Sequence, residues 1–199
     1  MAYSEMIVNI EETRAEQNDK KEMVITGVAA VFEKLSVPLW GFKEKIRRSA
    51  FSKSLEKNNV KALWNHNRDF VLGSTKSGTL KVKENEKGLP FEVVLPDSEW
   101  GRSAYESIKR GDVDQMSFGF NVIGQEWDES DPKNIIRTLT EVDLHEISFT
   151  AFPAYKQTSA KTRSIKEEYQ DYKKESEDPE IEKRKNELDI KMKLLELEQ

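Results

Sequence analysis

The sequence predicts an α+β protein, mainly β with helices, followed by a charged tail, and three observations carry that expectation. Short runs rich in β-branched and aromatic residues recur between residues 23 and 150, separated by brief turn segments in the manner of antiparallel strands. Within that stretch helix signals are confined to two places, around Ser49 to Leu55 and from Asp97 to Gly111. From residue 164 the composition shifts to Glu, Lys and Asp, with no aromatic beyond Tyr169 and Tyr172. At 199 residues, 36% hydrophobic and 35% charged, the chain can build one core and has a polar remainder.

Residues 1–22 read as a flexible N-terminal segment, with a weak strand candidate at 6–10 and a polar run behind it. Residues 23–32 form a near-continuous apolar run that suits a central, doubly buried strand, with Gly27 marking a bulge or bend. A shorter strand at 39–46 leads to a helix that Ser49 would cap, with Phe51 and Leu55 four apart on one face. The cluster Lys43, Lys45, Arg47 and Arg48 reads as a solvated edge, given the acidic total.

The strand at 60–65 delivers His66 at its end, where Asn67-Arg68-Asp69 would start a turn. Short strands follow at 71–75, 79–83 and 89–95. Asp97 or Ser98 then caps a helix with Trp100, Ala104 and Ile108 on one face, and Gly111 stops it. The strand at 115–122 places Met116, Phe118, Phe120 and Val122 on a core face and Ser117, Gly119 and Asn121 opposite. A surface loop at 127–133, a hairpin partner at 134–139 and a last strand at 142–150 complete the core, which Phe152-Pro153 ends. The folded domain is expected over 23–163. The tail, 164–199, is either helical, with Leu188, Met192 and Leu195 on one narrow stripe, or disordered.

Composition narrows the chemistry. A net charge of -5 lacks the basic footprint of a general nucleic-acid binder. With no cysteine, disulfides, thiolate catalysis and thiolate metal sites are all excluded. Neither a signal-peptide core nor a run of membrane-spanning length is visible, so a cytosolic protein without membrane attachment is expected. Only two histidines are present, His66 and His145, and any imidazole chemistry must use one of them. There is no Gly-x-Ser-x-Gly elbow, no His-Glu-x-x-His and no phosphate-binding glycine loop. A metal site from both histidines and two carboxylates has no local spacing in its favour. What remains is Ser117, His66 and Glu146, which have the residue types of nucleophile, base and orienting acid. Glu146 draws attention because simple alternation puts it with Val142 and Leu144, where a carboxylate needs a partner. Alternation also requires a choice between Glu146 and its neighbour His145, and Glu146 is the one expected to face His66.

Several motifs, taken in order, carry a resemblance: residues 25–32, Gly41-Phe42-Lys43-Glu44-Lys45-Ile46, Ser49-Ala50-Phe51, Ala62-Leu63-Trp64-Asn65-His66, Val71-Leu72-Gly73, Gly78-Thr79-Leu80, Gly111-Asp112, Ser117-Phe118-Gly119-Phe120, Leu144-His145-Glu146-Ile147-Ser148 and Pro153-Ala154-Tyr155. From about Met23 to Arg163 the chain resembles the caudoviral prohead serine protease family. The resemblance implies an antiparallel β-barrel protease related to the herpesvirus capsid-assembly proteases, with His66 as base, Ser117 as nucleophile and Glu146 as third member. It implies a serine endopeptidase of phage head maturation that cleaves scaffold protein, scaffold-like extensions of the major capsid protein, or itself. Such an enzyme works inside the assembling prohead in the host cytoplasm, as a possible homo-oligomer, with no cofactor, metal, nucleic acid or membrane. A catalytically silent scaffold-binding protein on the same barrel is the alternative. The sequence departs from the family pattern at Ser74, commonly arginine, and at Arg48-Ser49, usually Pro-Gly.

A chain truncated at Arg163 is expected to fold with nearly the thermal stability of the full chain, because the residues beyond it add no core aromatic. A melting curve of the two proteins checks this, and a truncated chain that stays unfolded overturns the domain boundary.

Overall fold

The computed structural model describes residues 3–9, 13–36, 38, 39, 41–151, 169, 170 and 173. The chain divides into two compact units, Met1–Lys156 and Gln157–Gln199. Of the second unit, residues 169, 170 and 173 are helical. The proposed stripe of Leu188, Met192 and Leu195 and the stop at Phe152-Pro153 lie outside the described residues.

The first unit contains ten strands and two helices among its described residues. In order they are β1 (Tyr3–Asn9), β2 (Arg14–Gln17), β3 (Met23–Val31), β4 (Phe42–Ile46), α1 (Ser52–Lys57), β5 (Lys61–Trp64), β6 (Asn67–Ser74), β7 (Leu80–Val82), β8 (Gly88–Val94), α2 (Glu99–Lys109), β9 (Gln115–Asp128) and β10 (Ile135–Thr150). The α+β class therefore holds, but the strands pair as two sheets that do not close on themselves. A six-stranded sheet runs β1-β9-β10-β5-β6 with β4 also on β10, and a four-stranded sheet runs β2-β3-β8-β7. Nor is the larger sheet purely antiparallel. β10 pairs in parallel with β4 through its first half and with β5 through its second.

The segment expected to lack order contributes two strands. β1 pairs with β9 from Tyr3↔Asn121 to Asn9↔Gln115, and β2 extends the second sheet along β3. The C-terminal strands are also longer than their composition suggests. β9 continues through Trp127, and the two strands expected at 134–139 and 142–150 are one, β10, with irregularities inside it. Where the ladder is interrupted near Glu141, the Val142 amide donates to the Ala50 carbonyl (3.0 Å), which brings the loop before α1 onto the strand.

The two sheets share one core. β9 supplies Met116, Phe118 and Phe120, β10 supplies Leu144, Ile147 and Phe149, and the other sheet supplies Ile25, Phe91 and Val93. Phe91 meets Phe149 edge to face at 5.7 Å, and Phe51 of the α1 entry meets Phe118 likewise at 5.6 Å. Ser49 does not cap α1. It sits at φ 67, a conformation natural to the glycine that the resemblance places there, and α1 begins after Phe51 without a side-chain cap. α2 forms as its sequence predicts: the Ser98 hydroxyl accepts from the Gly101 amide (3.2 Å), Ala104, Tyr105 and Ile108 are buried, and Gly111 (φ 80) ends it. Gly27 is regular, and the irregularity in β3 falls between Val28 and Val31. There Gly88 of β8 comes so close that a Cβ would lie 2.0 Å from the Ala30 carbonyl oxygen. The basic edge is solvated and partly paired, with Lys45 on Glu33 (2.9 Å) and Arg47 on Glu126. Among the described residues no helix is long and apolar enough to cross a membrane.

Among the described residues, one carboxylate–guanidinium pair is buried. Glu44 of β4 and Arg137 of β10 are register partners, and Arg137 Nη1 donates to Glu44 Oε2 at 3.0 Å. Arg137 Nε donates to Gln125 Oε1 (2.6 Å) while its guanidinium lies 5.6 Å from the Trp127 ring centre. Arg137→Leu removes the guanidinium that faces the buried Glu44 carboxylate and is expected to cost about 3–5 kcal/mol in urea unfolding. Adding Glu44→Leu is expected to return much of that loss.

Candidate active site

The β9–β10 ladder decides what faces what. Directly opposed residues on antiparallel strands lie on the same face. Ile147 opposes Phe118 and Leu144 opposes Phe120, so three steps along β10 match two along β9. The extra residue is a β-bulge between Leu144 and Glu146. It resets the alternation. Glu146 is therefore not on the face of Leu144, as a regular strand would have it, but opposite Gly119, with Ser148 opposite Ser117. The bulge also removes the forced choice between neighbours, because His145 reaches the same side and its Nε2 lies 2.9 Å from Asn121 Nδ2.

His66 arrives on this face from the β5–β6 hairpin. It is not the last residue of a strand before a turn, as expected, but part of the turn itself: Trp64 pairs with Asn67, and both residues between them have positive φ, 50 for Asn65 and 57 for His66. Positive φ at both central positions is what a type I′ hairpin requires, and the left-handed region costs a non-glycine residue about 1–2 kcal/mol. Anchors on β10 offset that cost. The Asn65 amide donates to the Phe149 carbonyl (2.8 Å) and the His66 amide to the Ser148 hydroxyl (3.1 Å).

The His66 ring then meets a carboxylate. His66 Nδ1 lies 2.6 Å from Glu146 Oε1, and the other carboxylate oxygen, Oε2, accepts from the Ser148 hydroxyl at 2.6 Å. Glu146 is nearly enclosed, its side chain 5% exposed against 17% for His66. A carboxylate only accepts, so Nδ1 carries the hydrogen of this bond and the lone pair of the neutral ring is on Nε2. Ser117 and Ser148 are fully buried. His145 takes no part in the His66 contact and faces Asn121, with Asp143 Oδ2 3.8 Å away. Its side chain is 38% exposed.

The structure thus brings His66 and Glu146 into contact and sets Ser117 on the neighbouring strand, in register with the serine that binds both. Ser148 was quoted from the sequence only as part of a motif. Its position two residues after Glu146, on the same face of a strand, was the signal for it. A cavity of about 520 Å³ adjoins Glu146, lined also by Lys61, Leu63, Arg68, Val71, Asn121 and His145. Among the described residues, no group of three or more His, Asp or Glu side chains is arranged to hold a metal ion.

A family model described as caudovirus prohead serine protease matches residues 9–175. No curated protein matches the chain. Among solved structures, the bacteriophage T4 capsid assembly protease gp21 is similar with a TM-score of 0.46 and 9% sequence identity, over 74% of this chain and 98% of that one.

Because Glu146 holds the ring at Nδ1 and His145 Nε2 lies against Asn121, Glu146→Gln is expected to abolish the downfield Nδ1 proton resonance of His66, while His145→Ala leaves it in place. Proton NMR of the two variants checks the pairing directly.

Proposed function

The chain belongs to the caudovirus prohead serine protease family and is a serine protease, and from that premise we propose that Ser117 is its nucleophile, His66 its general base and Glu146 the acid that orients the base. The observation that carries the assignment is the 2.6 Å bond between His66 Nδ1 and Glu146 Oε1, made beside the strand that holds Ser117. The carboxylate holds the tautomer in which Nε2 can take a proton and stabilises the imidazolium that results. As the Ser117 hydroxyl oxygen bonds to a peptide carbonyl carbon, His66 receives the hydroxyl proton. It returns that proton to the leaving amine as the C–N bond breaks. Water, deprotonated by the same nitrogen, then hydrolyses the acyl-enzyme ester. The steps are acyl and proton transfers with no change of oxidation state, and the three side chains and water supply them, so they call for no cofactor.

Ser117 is fully buried, so the reaction on this reading includes a step in which the face above it opens to the peptide. The substrates we propose are scaffold protein or scaffold-like extensions of the major capsid protein, and the enzyme itself, cleaved inside the assembling prohead in the host cytoplasm. The two sheets, packed through one core, are on this view the opened walls of the barrel implied by the resemblance.

Ser117→Ala and His66→Ala are each expected to abolish self-cleavage of the full chain, followed by intact mass, without unfolding it. The double variant is expected to be hardly worse than either, since residues acting as a unit are lost together. Turnover near the parent level by a folded Ser117→Ala protein overturns the assignment.

A further inference from the structure

Ser148 has no part in the steps above, yet it contacts both members of the His66–Glu146 pair. Its hydroxyl has one hydrogen, and a carboxylate can only accept, so that hydrogen goes to Glu146 Oε2 at 2.6 Å. A lone pair on the same oxygen accepts the His66 amide at 3.1 Å. Glu146 Oε1 returns to the His66 ring at Nδ1. The hydrogen bonds therefore form a closed loop that leaves His66 at its backbone and re-enters at its imidazole, through one serine and one carboxylate. We infer that Ser148 is a positioning residue of the active site, whose hydroxyl fixes the His66 ring and the Glu146 carboxylate in one geometry beside Ser117. The inference rests on the assignment of Ser117, His66 and Glu146 made above.

The loop acts at both ends of the histidine. The amide bond anchors a residue whose φ of 57 the backbone would otherwise leave. The bond to Oε2 sets the plane of the carboxylate, and with it the direction of Oε1 and of the ring it holds. Ser148 is fully buried and opposite Ser117 in the ladder, so its hydroxyl is out of contact with bulk solvent. Ser148 is not itself a second nucleophile, because its proton is committed to a carboxylate whose other oxygen already holds the base.

The test uses the full chain and diisopropyl fluorophosphate, with the rate of Ser117 phosphorylation followed by intact mass and peptide mapping. Ser148→Ala is expected to slow labelling by about 10- to 100-fold, the usual penalty for removing a group that orients a reacting one. It is also expected to shift or broaden the His66 Nδ1 proton resonance. Ser148→Thr keeps the hydroxyl and is expected to restore most of both. Ser148→Cys nearly keeps the volume with a much poorer hydrogen-bonding group, and is expected to behave as Ser148→Ala; it decides the question if the alanine variant does not fold. Labelling of Ser148→Ala, or of Ser148→Cys in its place, within about threefold of the parent with an unchanged resonance overturns the role of Ser148. A parent chain in which Ser117 takes no label overturns the nucleophile assignment instead, and the inference with it.

Discussion

The antiparallel pairing of β9 with β10 is the constraint on which the rest of this structure depends. β9 offers its outer edge to β1, and β10 offers its own to β4 and then to β5. The rows Met116, Phe118, Phe120 and Leu144, Ile147, Phe149 make one wall of the core. With that wall buried, the register cannot slip by one residue without turning a row of large apolar side chains away from the core. The same lock sets the opposite face. Ser117 and Ser148 are held across from each other by the phenylalanines behind them, so the precision of the site is borrowed from the packing of the core.

Much of this was legible in the sequence because it is carried by local pattern. Alternation in β9 separated Ser117 from its apolar neighbours, the β-branched run marked β3, and Ser98 and Gly111 bracketed α2. With two histidines in the chain, the candidates for a base were set by counting. What was not legible depends on partners distant in the chain. The bulge at His145 follows from the fit of β10 to β9, and nothing in the residues 142–150 announces it. Glu146 was singled out on the premise that it shares a face with Leu144; it meets His66 because it does not. Likewise, the parallel pairing of β10 with β4 and β5 and the order of β1 and β2 come from neighbours far away in sequence. Tertiary pairing gave a regular place to stretches with weak propensity of their own.

Charge is handled differently in the buried carboxylates Glu44 and Glu146. Glu44 faces a guanidinium and lies in the sheet half that holds β4. Glu146 has instead a ring nitrogen and a hydroxyl, both of them neutral donors when the imidazole is neutral. A carboxylate so placed gains most when its partner becomes positively charged, which is the situation a proton-accepting base creates. The first arrangement is complete at rest, and on the proposed assignment the second is completed when the imidazole takes up a proton.

The left-handed turn at Asn65 and His66 has a consequence for how the sequence can vary. A hairpin of this kind favours Asn followed by glycine, and here the first residue conforms while the second does not. At position 66 the residue best suited to the backbone and the residue able to carry a proton are therefore different, and no single side chain satisfies both. Selection for a more stable hairpin alone would push this position toward glycine and extinguish the imidazole; on the proposed assignment of His66 as the base, the chemistry is the pressure that opposes it.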